Sequence, residues 1–167
     1  YGDHGDLHAF PTRRSSDLGY HREKVKHFKP FRDVVETIKK LRDKGIKTAI
    51  VTDGTPKKQY EKILRLKVEN LFDDIIISDE VAIRKPNILL FELFCAKFNC
   101  SPSEAIYVGD RLDKDIEPAI QAGLHSVLIH RGTKHDPNIN KIKSPIRPHF
   151  HINSLHELFA IIEKINT

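Results

Sequence analysis

The sequence predicts an α/β fold built on a doubly wound, mostly parallel sheet, and three observations carry that reading. Short apolar, β-branched runs at 47–51, 74–77, 105–108 and 126–129 alternate with longer segments whose apolar residues recur at helical spacing. Proline or glycine marks most of the boundaries between them. Strand and helix alternating in this way means βαβ units, whose crossovers bring successive strands parallel.

The first helix is expected to open at Pro30, because Val34, Val35, Ile38 and Leu41 fall on one face and Gly45 ends the pattern. The strand 47–51 follows. Pro56 should start the next helix, with the apolar residues Tyr60, Ile63 and Leu64 on one face. Residues 74–77 are a buried strand, and Pro86 is expected to open a helix over 87–98. Ser101-Pro102-Ser103-Glu104 is a turn leading to the strand 105–108. A helix over 113–122 closes at Gly123, and 126–129 is the next strand. Residues 131–148 are polar with three prolines and read as a surface loop. The segment 149–152 is a short edge strand. The last helix, 154–165, is capped by Ser154 with Glu157 three residues later.

Composition bounds the function. A chain of 167 residues holds one domain with a sizeable core. Charged residues make up 31% with both signs mixed, so the net charge of +5 describes a solvated surface. No basic patch is interleaved with aromatics, so nucleic acid is not an expected partner. No apolar run approaches the ~18 residues that a membrane span needs. Cys95 and Cys100 match neither a zinc nor a redox spacing, and the ten histidines contain no HExxH. A reduced, cytoplasmic protein is the default expectation. Oligomeric state is not legible.

Chemistry concentrates at three places. Thr52-Asp53-Gly54 follows one apolar strand, Gly109-Asp110 follows another with Asp115 five positions on, and Lys85-Pro86 lies between them after 74–83. In a parallel sheet, ligands bind beyond the carboxyl ends of the strands. A hydroxyl, an ammonium and an acidic pair converging there are the groups that hold a phosphoryl group and a magnesium ion. Each residue alone has a plainer explanation. Thr52 could end a strand, Lys85 could be solvated, Asp110 could cap a helix and Asp115 could face a helix dipole. Their joint occurrence in this order argues for the site.

That order resembles the haloacid dehalogenase (HAD) superfamily and its subfamily I phosphatases. Thr52 matches the second motif of that family, Lys85-Pro86 with Phe91-Glu92 the third, and the run from Val108-Gly109-Asp110 through Asp115-Ile116 the fourth. The likeness runs from about Phe31 onward and includes Gln121-Ala122-Gly123 and His130-Arg131-Gly132. Residues 52–66 are similar to archaeal-type members acting on glyceraldehyde 3-phosphate. The resemblance implies an HAD-like, Rossmann-type core and a hydrolase, a Mg²⁺-dependent phosphatase working through an aspartyl-phosphate on a small phosphorylated metabolite. It gives catalytic roles to Thr52 and Lys85, substrate binding to Thr52, Asp53, Gly54 and Lys85, and metal binding to Asp110 and Asp115.

The family's first motif, an Asp-x-Asp that supplies nucleophile and general acid, has no counterpart before Thr52. The expected core therefore lacks its nucleophile strand and most of its helical cap, and the chain by itself is expected to be inactive and of low stability. The chain has no Met, and Phe10 to Leu18 look like a translated sequencing adapter. Residues 1–18 are accordingly expected to be a non-native tail, 19–29 the end of a cap helix and 30–167 the core domain. Two alternatives remain: a non-catalytic phosphate-binding or interaction module, and a haloacid dehalogenase. Asp110 and Asp115 speak against the second, since dehalogenases work without a metal.

Overall fold

A computed structural model describes residues 29–132 and 147–166. The expected tail at 1–18, nearly all of the expected cap remnant and most of the expected loop at 131–148 lie outside these residues. Two parallel sheets form the frame. In the first, β1 (Ala49–Thr52) pairs with β2 (Asp74–Ile77), with Ala49 opposite Asp74 and Thr52 opposite Ile77. In the second, β3 (Ile106–Gly109), β4 (His125–Ile129) and β5 (Phe150–Ile152) lie in that order. Every ladder is parallel, as βαβ connections require. β1 and β3 are edges of their own sheets and do not hydrogen-bond to each other among the described residues.

The helices are α1 (Arg32–Asp43), α2 (Pro56–Leu66), the single turn α3 (Ser78–Val81), α4 (Leu89–Phe98), α5 (Glu117–Gln121) and α6 (Leu158–Ile165). One apolar cluster joins the two sheets: Ile76 from β2, Leu90, Phe91 and Cys95 from α4, Ala105, Ala119 and Leu124, with Val51 and Tyr107 packed against it. α4 is apolar almost all round because it is sandwiched here, and Leu90 and Phe91 are fully enclosed. A second cluster packs β4 and β5 against α6. Ser154 and Glu157 form the expected capping box, although the first turn it starts is a 3₁₀ turn at Leu155–Glu157.

Three expectations are corrected. On α2 the buried positions are Gln59 and Ile63, whereas Tyr60 and Leu64 are exposed. The helix is turned so that Gln59 faces the loop after β1, which engages its side-chain amide on both sides. Pro86 does not open α4. Asn87 closes a turn onto the Arg84 carbonyl (2.9 Å) and its side-chain oxygen accepts from the Leu89 N–H (3.0 Å), so the helix begins at Leu89. The helix expected over 113–122 is divided into a π turn at Leu112–Ile116 and then α5. There the Arg111 carbonyl accepts from both Asp115 N (2.9 Å) and Ile116 N (3.1 Å). The extra residue in this turn aims Asp115 back at β3, and π bulges of this kind frequently occur at functional sites.

Candidate functional site

The carboxyl ends of β1 and β3 carry the polar residues singled out in the sequence. Lys85, in the segment between α3 and α4, links them. Its backbone N–H donates to Asp53 Oδ1 (3.1 Å), directly beyond β1. Its ammonium makes a 2.7 Å ion pair with Asp115 Oδ1, beyond β3. Lys85 is largely shielded at 14% exposure and Asp115 buried at 6%, so the pair is screened less than a surface pair would be. Tyr107, pointing from β3, closes a triangle: its hydroxyl lies 3.3 Å from Lys85 Nζ and 3.3 Å from Asp115 Oδ1. Burial, then the charge and hydrogen bond of Asp115, then Asp53 and Asp110 push the Tyr107 phenol well above its ordinary value. It therefore stays protonated, donating to Asp115 while accepting from Lys85.

Asp115 is fully engaged. Besides Lys85 and Tyr107 on Oδ1, its Oδ2 accepts from the Arg111 N–H at 3.1 Å. Gly109 makes this approach possible: a Cβ there would lie 2.4 Å from Asp115 Cβ. Asp110 differs, because its carboxylate has neither a hydrogen bond nor an ion pair among the described residues, although its charge reaches Tyr107 and Arg111. The Arg111 guanidinium is held instead by Asp113, at 3.1 and 2.8 Å. That bidentate bond, first among its causes, raises the Arg111 pKa. Among the described residues no three His, Cys, Asp or Glu side chains gather into a metal-binding group.

The loop after β1 is held from two sides. The Thr52 hydroxyl donates to Gln59 Oε1 (3.2 Å), and Gln59 Nε2 donates to the Asp53 carbonyl (2.9 Å). The Gly54 N–H donates to Ser78 Oγ at 3.0 Å, and Ser78 is fully buried. Gly54 has φ +135°, and a Cβ would meet Gln59 Nε2 at 2.5 Å, so both its backbone conformation and the space around it demand glycine. The space thus freed is filled by Gln59, and the Gly54 N–H already has a partner.

The expected residues thus form one chain of contacts from Thr52 through Gln59, Asp53 and Lys85 to Asp115, with Asp110 beside it. Gln59, Ser78 and Tyr107 are additions that the sequence motifs do not contain. Tyr107 leaves a trace there, as the polar-tipped residue of an otherwise apolar strand. Gln59 and Ser78 leave none, because short polar residues near helix starts are ordinary.

The sequence model of the haloacid dehalogenase-like hydrolase family matches residues 12–129. A glyceraldehyde 3-phosphate phosphatase of Methanopyrus kandleri is 37% identical over 148 residues, which cover 89% of this chain and 63% of that protein. One from Methanocaldococcus jannaschii is 35% identical with the same two coverages, 89% and 63%. The chain thus spans less than two thirds of the length of these relatives. The crystal structure of an HAD phosphatase from Thermococcus onnurineus superposes with a TM-score of 0.67 at 31% identity, over 79% of this chain and 57% of that one.

Proposed function

Because the chain belongs to the haloacid dehalogenase-like hydrolase family, we propose that the Thr52–Lys85–Asp110 edge is the phosphoryl-holding part of a phosphatase site whose substrate is a small phosphorylated metabolite. Glyceraldehyde 3-phosphate, the substrate class of the two archaeal relatives, is the first to test. The observation that carries the reading is Lys85, whose backbone is held by Asp53 beyond β1 and whose largely shielded ammonium is held by Asp115 beyond β3, on the edge where Asp110 has no partner among the described residues.

The roles follow from the contacts. Lys85 supplies a fixed positive charge that needs no reorganisation as negative charge shifts during transfer. Asp115 and Tyr107 hold it in place, and Asp53 holds its backbone. Thr52 turns its hydroxyl proton to a phosphoryl oxygen. Asp110 suits a magnesium ion, since Mg²⁺ is commonly held by one or two carboxylates together with substrate phosphate oxygens and water. Both Asp115 oxygens already accept hydrogen bonds from the protein, so its part toward the metal is to brace the shell from behind. When bound, the ion neutralises charge on the phosphoryl oxygens. Residues 30–167 are proposed as the core domain. The free thiols Cys95 and Cys100 suit a reducing cytoplasm, and no described helix is long and apolar enough to cross a membrane.

The absence of an Asp-x-Asp before Thr52 favours a second reading, a phosphate-binding module without turnover. One experiment separates the two. Phosphate release from glyceraldehyde 3-phosphate is followed for the chain alone and for the chain joined to an upstream strand bearing Asp-x-Asp and a cap. Release only by the joined protein, dependent on Mg²⁺, is the expected result. Sustained release by the chain alone contradicts the account of the nucleophile. Failure of the joined protein across a panel of small phosphorylated metabolites overturns the phosphatase reading.

A further inference from the structure

We propose that Gln59 is a positioning residue for the anion, acting through Thr52; the inference rests on the phosphoryl-site reading above. Gln59 stands in the first turn of α2 and is only 9% exposed, which is unusual for a glutamine beside an open sheet edge. Both ends of its amide are committed to the loop after β1. Oε1 accepts from the Thr52 hydroxyl, and Nε2 donates to the Asp53 carbonyl. Gly54 is bare where the amide lies, so the loop and the side chain fit as one unit.

Two consequences follow for an anion. The Asp53 carbonyl, whose lone pairs would repel negative charge, is already satisfied by Nε2. The Thr52 hydroxyl is kept in one orientation about its Cα–Cβ bond, so that only the O–H has to rotate for its proton to pass from a neutral amide oxygen to a phosphoryl oxygen. A charged acceptor outcompetes a neutral one for that proton. Gln59 thus holds the hydroxyl in readiness without competing strongly for it. A carboxylate at the same position would reverse both effects, competing for the proton on equal terms and facing the Asp53 carbonyl with no N–H to offer.

The test is the affinity of the full 167-residue chain for inorganic phosphate, by calorimetry, in wild type, Gln59→Leu, Gln59→Glu, Thr52→Val and the Gln59→Leu/Thr52→Val double variant. Gln59→Glu keeps the side-chain volume and, made also in the Thr52→Val background, serves if the leucine variant does not fold; the difference between the two backgrounds is then read, because the added charge weakens anion binding in both. Each Gln59 substitution is expected to weaken phosphate binding by roughly tenfold or more, the scale of one lost hydrogen bond to a charged group. In the Thr52→Val background Gln59→Leu should change affinity several-fold less than it does alone, because the hydroxyl is gone and only the uncovered Asp53 carbonyl is left to act. A purely structural glutamine would give equal losses in both backgrounds, and that result, or unchanged affinity in the single variants, overturns the proposal while leaving the phosphoryl site intact. No measurable phosphate binding by wild type overturns the phosphoryl-site reading and this inference with it.

Discussion

Two largely shielded ion pairs of closely similar construction stand out among the described residues, and one of them borders a candidate site. Lys85–Asp115 spans 2.7 Å, and Arg131–Asp33 spans 2.8 Å. In both, the carboxylate also accepts from a backbone N–H and a hydroxyl. For Asp115 these come from Arg111 and Tyr107, and for Asp33 from Leu155 (2.7 Å) and Ser154 (3.1 Å). The difference lies in what surrounds them. Asp33 ties α1 to the exit of β4 and the entry of α6, and the Arg131 guanidinium is stacked 4.4 Å over the Phe31 ring. Asp115 is linked through Lys85 and Asp53 to the loop that carries Thr52, and its neighbour Asp110 has a carboxylate with no partner among the described residues. A shielded pair is therefore not a signature of function, since one of these fastens helices; Asp33 leaves only its own buried Oδ1 unpartnered, whereas Asp115 has a separate open carboxylate for a neighbour, and that makes the distinction.

Breaking the fastening pair is expected to have the largest effect on stability. Asp33→Asn replaces the carboxylate that gathers Arg131, Ser154 and Leu155 by a neutral amide and should cost about 2 kcal/mol in urea denaturation at neutral pH. Phosphate affinity should be unchanged. Burial alone would raise the Asp33 pKa, but the hydrogen bonds from Arg131, Leu155 and Ser154 outweigh it and leave it below its ordinary value of 3.8. A lowered folded-state value means that the stabilisation is fully present above the unfolded-state value and fades as pH falls through the folded one. The gap between wild type and Asp33→Asn should therefore be widest near neutrality and close in strong acid. A constant gap down to about pH 2, below the ordinary carboxylate range, would remove Asp33 ionisation from the account.

A smaller effect is expected at the other pair. Tyr107→Phe removes one hydroxyl from the triangle but leaves Asp115 both Lys85 and the Arg111 N–H, so it should cost about 1 kcal/mol. In contrast to Asp33→Asn, it should weaken phosphate binding severalfold, because the Lys85 ammonium loses one of two side-chain contacts. Unchanged phosphate affinity in Tyr107→Phe would assign the phenol to the core alone.

Much of this is legible in the sequence, for identifiable reasons. β2 lies where it is expected because three consecutive isoleucines have no competing pattern. Lys85 and Asp115 can be brought to one site from sequence alone because each belongs to a motif with its own spacing. Asp33 and Arg131 cannot be paired that way, as 98 positions separate them and, although Arg131 falls in the His130-Arg131-Gly132 stretch, nothing in the spacing points it to Asp33. Asp33 resembles any first-turn acid on a helix, where acids are common. The apolar pattern turns α2 the wrong way because Tyr60 and Leu64 are the more apolar residues, while the buried position is decided by what Gln59 hydrogen-bonds. The π turn is invisible because its residues also make a reasonable α-helix. Residues that act through contacts distant in the chain leave no periodic trace, and Ser78 and the Asp33–Arg131 pair are of that kind, while Gln59 acts through side-chain bonds to a nearby loop that periodicity does not register.

The central claim is that an anion seats at the Thr52–Lys85–Asp110 edge. It is tested most directly by titrating inorganic phosphate into the ¹⁵N-labelled chain and mapping the amide shifts. The largest changes are expected at Thr52, Asp53, Lys85 and Asp110, with none at Asp33, Ser154 or Leu155. Shifts centred on the Arg131–Asp33 fastening, or saturation that leaves Lys85 unmoved, would contradict the claim.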